Sequence, residues 1–224
     1  VGGAGALTFS TNLRNALNIG SVAASAFGGA ESQIVGPAGA YTNITVSAPV
    51  ISITYDDTTN QVISVKTLGG ARQDAKLVAG VSNGGWVEVG NLDVNLQTKE
   101  IFGTIVGQSL AGVDVNWSGK LFDFASVTGD TLIQMGLALA TVNTLTLTNA
   151  SYAEIKKALD LQFLGDVSLQ AAAADFGNIS MAFGIPGLLT PFPPPTAVVP
   201  EPSTYALMGL GLVGLALARR RAGT

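Results

Sequence analysis

Cysteine and histidine are both missing from the 224 residues of this chain. Their absence removes disulfides, thiolate and imidazole metal sites, Ser-His-Asp and Cys-His catalysis, and any histidine pH switch. Charge is scarce as well: Asp, Glu, Lys and Arg make up 12%, against about 25% in an ordinary soluble domain. So few Lys and Arg argue against nucleic acid, whose binding rests on neutralised phosphates. Residues 1–199 hold eight Lys and Arg against fourteen Asp and Glu, a net charge of −6. That balance favours solubility and again disfavours nucleic acid. Calcium is the one cofactor that oxygen ligands alone would support. No D-x-[DN]-x-[DN]-G loop occurs, and Asp56-Asp57-Thr58-Thr59-Asn60 reads as a turn rather than a calcium loop. No metal and no other cofactor is expected.

What the chain has is apolar and small: 47% hydrophobic residues and 28 glycines. From about Leu7 to Phe183 the main signal is alternation of period two. Residues 41–47 and 50–55 alternate on either side of Pro49, and 61–66 return after the turn at 56–60 as a β-hairpin. Residues 86–89 and 92–96, parted by Gly90-Asn91, read as strands, with a turn at 97–100 and a return over 101–106. Residues 113–117, 120–124, 142–148 and 176–183 add further strands. Eight to ten strands with Gly/Asn turns predict a mainly β fold, an antiparallel sandwich or barrel-like domain. One or two short helices interrupt it. Ser151 and Glu154 make a capping box for a helix that Gly165 would stop, and Ser10 or Thr11 would cap another through Leu13 and Leu17. Residues 20–40 read as a loop or an irregular edge strand.

The ends differ from the body. The chain begins at Val1 rather than Met, as after removal of an initiator or leader, or after trimming. Gly2 to Ala6 reads as a small, flexible start. Seven of the nine prolines lie between Pro186 and Pro202, making a semi-rigid spacer. An uncharged run follows, Ser203 to Ala218, apolar on all faces through Leu207, Leu210, Leu212, Val213, Leu215 and Leu217. As a helix it would reach about 24 Å, short of a hydrocarbon core of about 30 Å. Arg219, Arg220 and Arg221 end it and favour the cytoplasmic side. Three regions are expected: a β-rich domain at 1–184, a Pro-rich linker at 185–199, and a membrane-directed segment at 200–224.

Pro200-Glu201-Pro202, the short apolar run and the triple arginine together resemble the PEP-CTERM sorting signal. The resemblance implies an exported protein of a Gram-negative, exopolysaccharide-forming bacterium. It implies exosortase as a partner, transient anchoring in the inner membrane, and processing near Pro202. Residues 84–99 are also similar to strand pairs in exported proteins of that kind.

Candidate chemistry in the body is sparse. A glycosidase needs two convergent carboxylates. Asp93, Asp114 and Asp123 are available, but strand alternation places each on a solvated face. Asp56-Asp57 reads as a turn pair. Trp86 and Trp117 are the candidates for stacking on a sugar, although both also suit a core. Four tripeptides starting at Asn43, Asn116, Asn149 and Asn178 fit the glycosylation sequon, as chance provides in an Asn/Thr/Ser-rich chain. The expectation is a non-enzymatic, exported surface or matrix protein, structural or adhesive, that joins copies of itself through sheet edges into a filament. The alternatives are a carbohydrate-binding module for exopolysaccharide and, less favoured, a carboxylate-based polysaccharide hydrolase.

Overall fold

The computed structural model describes residues 2–134 and 136–184. The linker, Pro200-Glu201-Pro202, the apolar run and the three arginines lie outside them. Eleven strands and three helices follow the order β1 (Gly2–Phe9), α1 (Thr11–Ile19), β2 (Ala23–Phe27), β3 (Glu31–Val35), β4 (Asn43–Tyr55), β5 (Val62–Thr67), β6 (Gly70–Ala75), β7 (Gly85–Asn95), β8 (Glu100–Ser109), β9 (Asp114–Gln134), β10 (Leu137–Leu147), α2 (Asn149–Ala158), α3 (Phe163–Ala173) and β11 (Gly177–Gly184).

The sheet closes on itself. Strand neighbours run β7-β5-β4-β1-β11-β10-β9-β8, and β8 pairs back to β7. Every pairing is antiparallel. The result is an eight-stranded antiparallel barrel, which decides between the two expected architectures. Outside the ring β6 pairs with β7, β2 with β6, and β3 with β4.

Several strands run longer than the alternation suggests. β4 crosses Pro49, where the ladder changes hands: Thr45 to Pro49 pair with β1, and Val50 to Tyr55 with β5. A proline, which has no N–H to donate, is tolerated at such a changeover. β7 crosses Gly90-Asn91 through an irregularity in its pairing with β8, Asn91 taking φ 51°. β9 joins the two segments at 113–117 and 120–124 and continues to Gln134. Residues 2–9 are a ring strand between β4 and β11, not a flexible start. Their small side chains follow from close approach, since a Cβ on Gly3 would lie 2.2 Å from the Ala182 carbonyl oxygen.

Among the described residues the helices number three, where one or two were expected, and they gather at one end of the barrel. α1 follows β1, α2 follows β10, and α3 precedes β11, whose direction opposes both strands. Ser10 caps α1 as expected, its Oγ accepting from the Leu13 N–H at 3.0 Å. The cap of α2 is Thr148, one turn before Ser151. Gly165 does not stop that helix; it lies inside α3, where a Cβ would sit 2.1 Å from the Val81 carbonyl oxygen.

Inward-facing residues fill the ring. Val65, Val94, Ile101, Ile105, Val142 and Leu145 are fully buried. Under the helices Phe176 lies 5.1 Å from Phe122 and 6.4 Å from Phe9, centroid to centroid. The apolar void among Leu7, Val46, Val94, Ile179 and Met181 measures about 20 Å³. That is room for one water-sized sphere, so the barrel interior is a packed core and not a ligand container.

Candidate functional site

The outer surface of the barrel divides into two walls of different chemistry. The first, β5 to β9, carries ion pairs laid across neighbouring strands. Lys66 meets Asp93 at 3.3 Å. Arg72 reaches Asp74 and Glu88, each at 2.9 Å. Lys120 reaches Glu100 at 3.3 Å and Asp123 at 3.0 Å. Hydrogen bonds donated to Asp123 and Glu100 hold the Lys120 ammonium above its ordinary pKa, and those donated to Asp74 and Glu88 do the same for Arg72.

The three carboxylates expected on solvated faces are found there. Asp93 and Asp123 are paired as above, and Asp114 accepts from Gln108 Nε2 at 2.6 Å. Asp114 and Asp123 stand nine positions apart on one strand, about 30 Å at the strand rise. Glu100 and Asp123 do lie opposite each other, but Lys120 sits between them on an open sheet. Asp56 closes its turn by accepting from the Thr58 and Thr59 N–H groups, both at 2.9 Å. Those bonds lower its pKa. Among the described residues no three acidic side chains gather as a metal site.

The two tryptophans do not form one platform. Antiparallel partners share a face. Trp86 stands opposite Gln108 and Asp74, on the outer face. Trp117 stands opposite Ile105, which itself faces Val89 in the core. Trp117 is therefore a core-side residue, partly buried, its ring lying over Gly119. Trp86 remains half-buried outside, with the Arg72 guanidinium 4.3 Å from its ring centroid. A cation stacked there takes up one ring face.

The second wall is β4, β1, β11 and β10, and these four strands contain no charged residue. Register aligns their outward side chains in rows. Asn143 lies on β10, and on the neighbouring strands Asn178 faces Thr8, which faces Thr45. One step along, Thr141 faces Ser180, then Ala6, then Ser47. Thr8 and Thr45 hydroxyls are 3.2 Å apart, and Thr141 and Ser180 hydroxyls 3.3 Å. Where the first row meets the start of α1, the surface sinks into an open groove of about 420 Å³. Its lining includes Thr8, Ser10, Asn43, Asn143, Asp175 and Asn178. Thr144 at its rim takes φ 55°, a conformation rare for a β-branched residue. No local motif in the sequence marks this groove, since its residues come from four strands, the start of α1 and the turns beside them, and meet only in the fold.

A third cluster ties α2 to α3. The Tyr152 hydroxyl donates to the Asp166 carboxylate, which Lys156 also binds at 2.9 Å. The Lys156 and Tyr152 hydrogen bonds lower the Asp166 pKa, while desolvation and then Asp166 push Tyr152 up to about 12. This is a helix clamp on the surface.

Among the described residues no helix is long and apolar enough to cross a membrane. No curated protein matches the chain. Among solved structures, the C-terminal domain of HtaA from Corynebacterium glutamicum is similar over 82% of this chain and 99% of that one, at 9% identity and a TM-score of 0.46. The PEP-CTERM protein-sorting motif matches residues 198–221, the segment that holds Pro200, Glu201, Pro202 and Arg219 to Arg221. After its closed antiparallel barrel the chain thus carries a PEP-CTERM protein-sorting motif, the signal that exosortase recognises.

Proposed function

We propose that the barrel is non-enzymatic cargo, exported, held briefly at the inner membrane by its C-terminal run, and released to the cell surface or extracellular matrix as a structural or adhesive component. The observation that carries this reading is the sorting motif placed after a self-contained barrel whose interior is packed solid. Such a domain works with its outside. The carboxylates available for hydrolysis lie on an open sheet beside lysines or amides, which supports an adhesive role over a hydrolytic one.

Closure of the ring changes how self-assembly would proceed. Each of the eight ring strands has two neighbours, while β2 and β3 each pair on one side only. A filament built by edge pairing would therefore join through β2 or β3. The experiment is fractionation of the native producer with antibody to the barrel. The reading expects the protein in the surface or matrix fraction, and no release of reducing sugar from the matrix polysaccharide by the purified protein. Recovery from the cytoplasm alone, or sugar release that Asp123→Asn abolishes, would defeat it.

A further inference from the structure

The uncharged wall ends in a concavity lined mainly by carboxamides and hydroxyls. Asn43, Asn143 and Asn178 bring carboxamides from β4, β10 and β11, and Thr8, Ser10 and Thr11 bring hydroxyls. The Asn143 amide donates to Thr128 Oγ1 at 3.1 Å and to the Thr141 carbonyl at 3.3 Å. Its ring of bonds fixes the side chain and leaves Oδ1 as an acceptor. Arg14 is the one cation in the lining, and its guanidinium already donates to the Ser10 carbonyl at 3.4 Å, the Thr42 carbonyl and Thr11 Oγ1 at 3.0 Å. Asp175 is the one carboxylate. From the groove the rows of Asn, Thr and Ser run on across four strands with no charge among them.

We propose that this groove and the rows beside it bind a segment of neutral saccharide. Carboxamides both donate and accept, as sugar hydroxyls do, and rigid strands present them in a fixed pattern. The volume lies in the range of ligand clefts, about 300–1,000 Å³. The wall carries no cation, and the groove's one cation, Arg14, shares the lining with Asp175 and spends its donors on Ser10, Thr42 and Thr11, so an anionic polymer or a phosphate finds no free cationic partner there. The assignment adds a ligand class to the surface reading above and rests on it only for the source of the saccharide, the medium outside the cell.

The test is calorimetric titration of the full chain in detergent with hexasaccharides of neutral glucans, mannans and galactans, and with oligo-alginate as the anionic probe. At least one neutral hexasaccharide binds, oligo-alginate does not, and the affinity is unchanged between 50 mM and 500 mM salt. The pair Asn143→Ala and Asn178→Ala weakens binding tenfold or more, since each lost hydrogen bond is worth roughly fivefold. Thr8→Val keeps the shape of its side chain, so it guards against misfolding of the Ala pair, and it weakens binding several-fold. Trp86→Ala, on the charged wall, leaves binding intact. Silence toward every neutral probe, binding of oligo-alginate alone, or affinity retained in all the groove variants overturns the assignment. So does self-association of the chain that Asn178→Ala abolishes, because the face then receives a second copy. Binding in solution and surface location in the cell are read separately, so loss of one leaves the other standing.

Discussion

Thr144, Tyr152 and Asp166 each hold a local state away from the ordinary. Thr144 holds φ 55° within β10. A β-branched residue held there stores roughly 1–3 kcal/mol, which glycine or asparagine would relieve. Thr144→Asn is expected to leave the barrel as stable or about 1 kcal/mol more stable in urea unfolding, and a loss beyond 1 kcal/mol would refute the strain. The Tyr152–Asp166–Lys156 clamp makes stability depend on pH in two windows. Asp166 has a lowered folded pKa, because Lys156 and then Tyr152 bond its ionised form. Its contribution is complete above the unfolded value, about 3.9, and is lost as pH falls through the lower folded value. Tyr152 is raised to about 12. Its contribution is complete below the unfolded value, about 10, and is lost as pH rises from there toward 12. Asp166→Asn should flatten the acid limb of the stability profile and Tyr152→Phe the alkaline limb. Profiles identical to the parent in both variants would show that the clamp contributes nothing.

Among the elements, those with large alternating side chains are legible in the sequence, and those shaped by close approach are not. The β4–β5 hairpin, β8, β10, β11 and the Ser10 cap follow from pattern and capping chemistry. β1 escaped because Gly2 to Ala6 offers no apolar period; Gly3 answers the backbone of β11. α3 escaped because Gly165 reads as a stop, whereas it lets the helix touch the Val81 carbonyl. Gly165→Ala should therefore cost about 2 kcal/mol or more through overpacking, measured by thermal unfolding; a neutral result would remove that contact from the account. For α2, Ser151 and Glu154 form a plausible box, yet the chain turns helical one turn earlier. There Thr148 Oγ1 accepts from the Ser151 N–H and donates to the Lys120 carbonyl at 2.8 Å. Thr148→Ala should cost about 1 kcal/mol. The two tryptophans show the limit of a residue list: both were visible as candidates, but only register told that they face opposite ways. The groove has the same logic. Its one trace in the sequence is negative, four strand-forming segments without a charge.

The whole molecule has two parts with different tasks. The barrel closes its own edges, packs its interior and divides its exterior into a charged wall and a neutral one. The C-terminal segment carries the address. The composition fits this division: a chain without cysteine or histidine, and with little charge, relies on packing and backbone pairing outside the cell. On the proposed function the barrel is delivered by its sorting signal and acts after the signal has been processed. Intact-mass measurement of the protein recovered from the native cell surface or matrix tests it most directly. The expected species has lost the segment after roughly Pro202, Arg219 to Thr224 included. A surface-recovered species that still ends in Arg219 to Thr224 would contradict it.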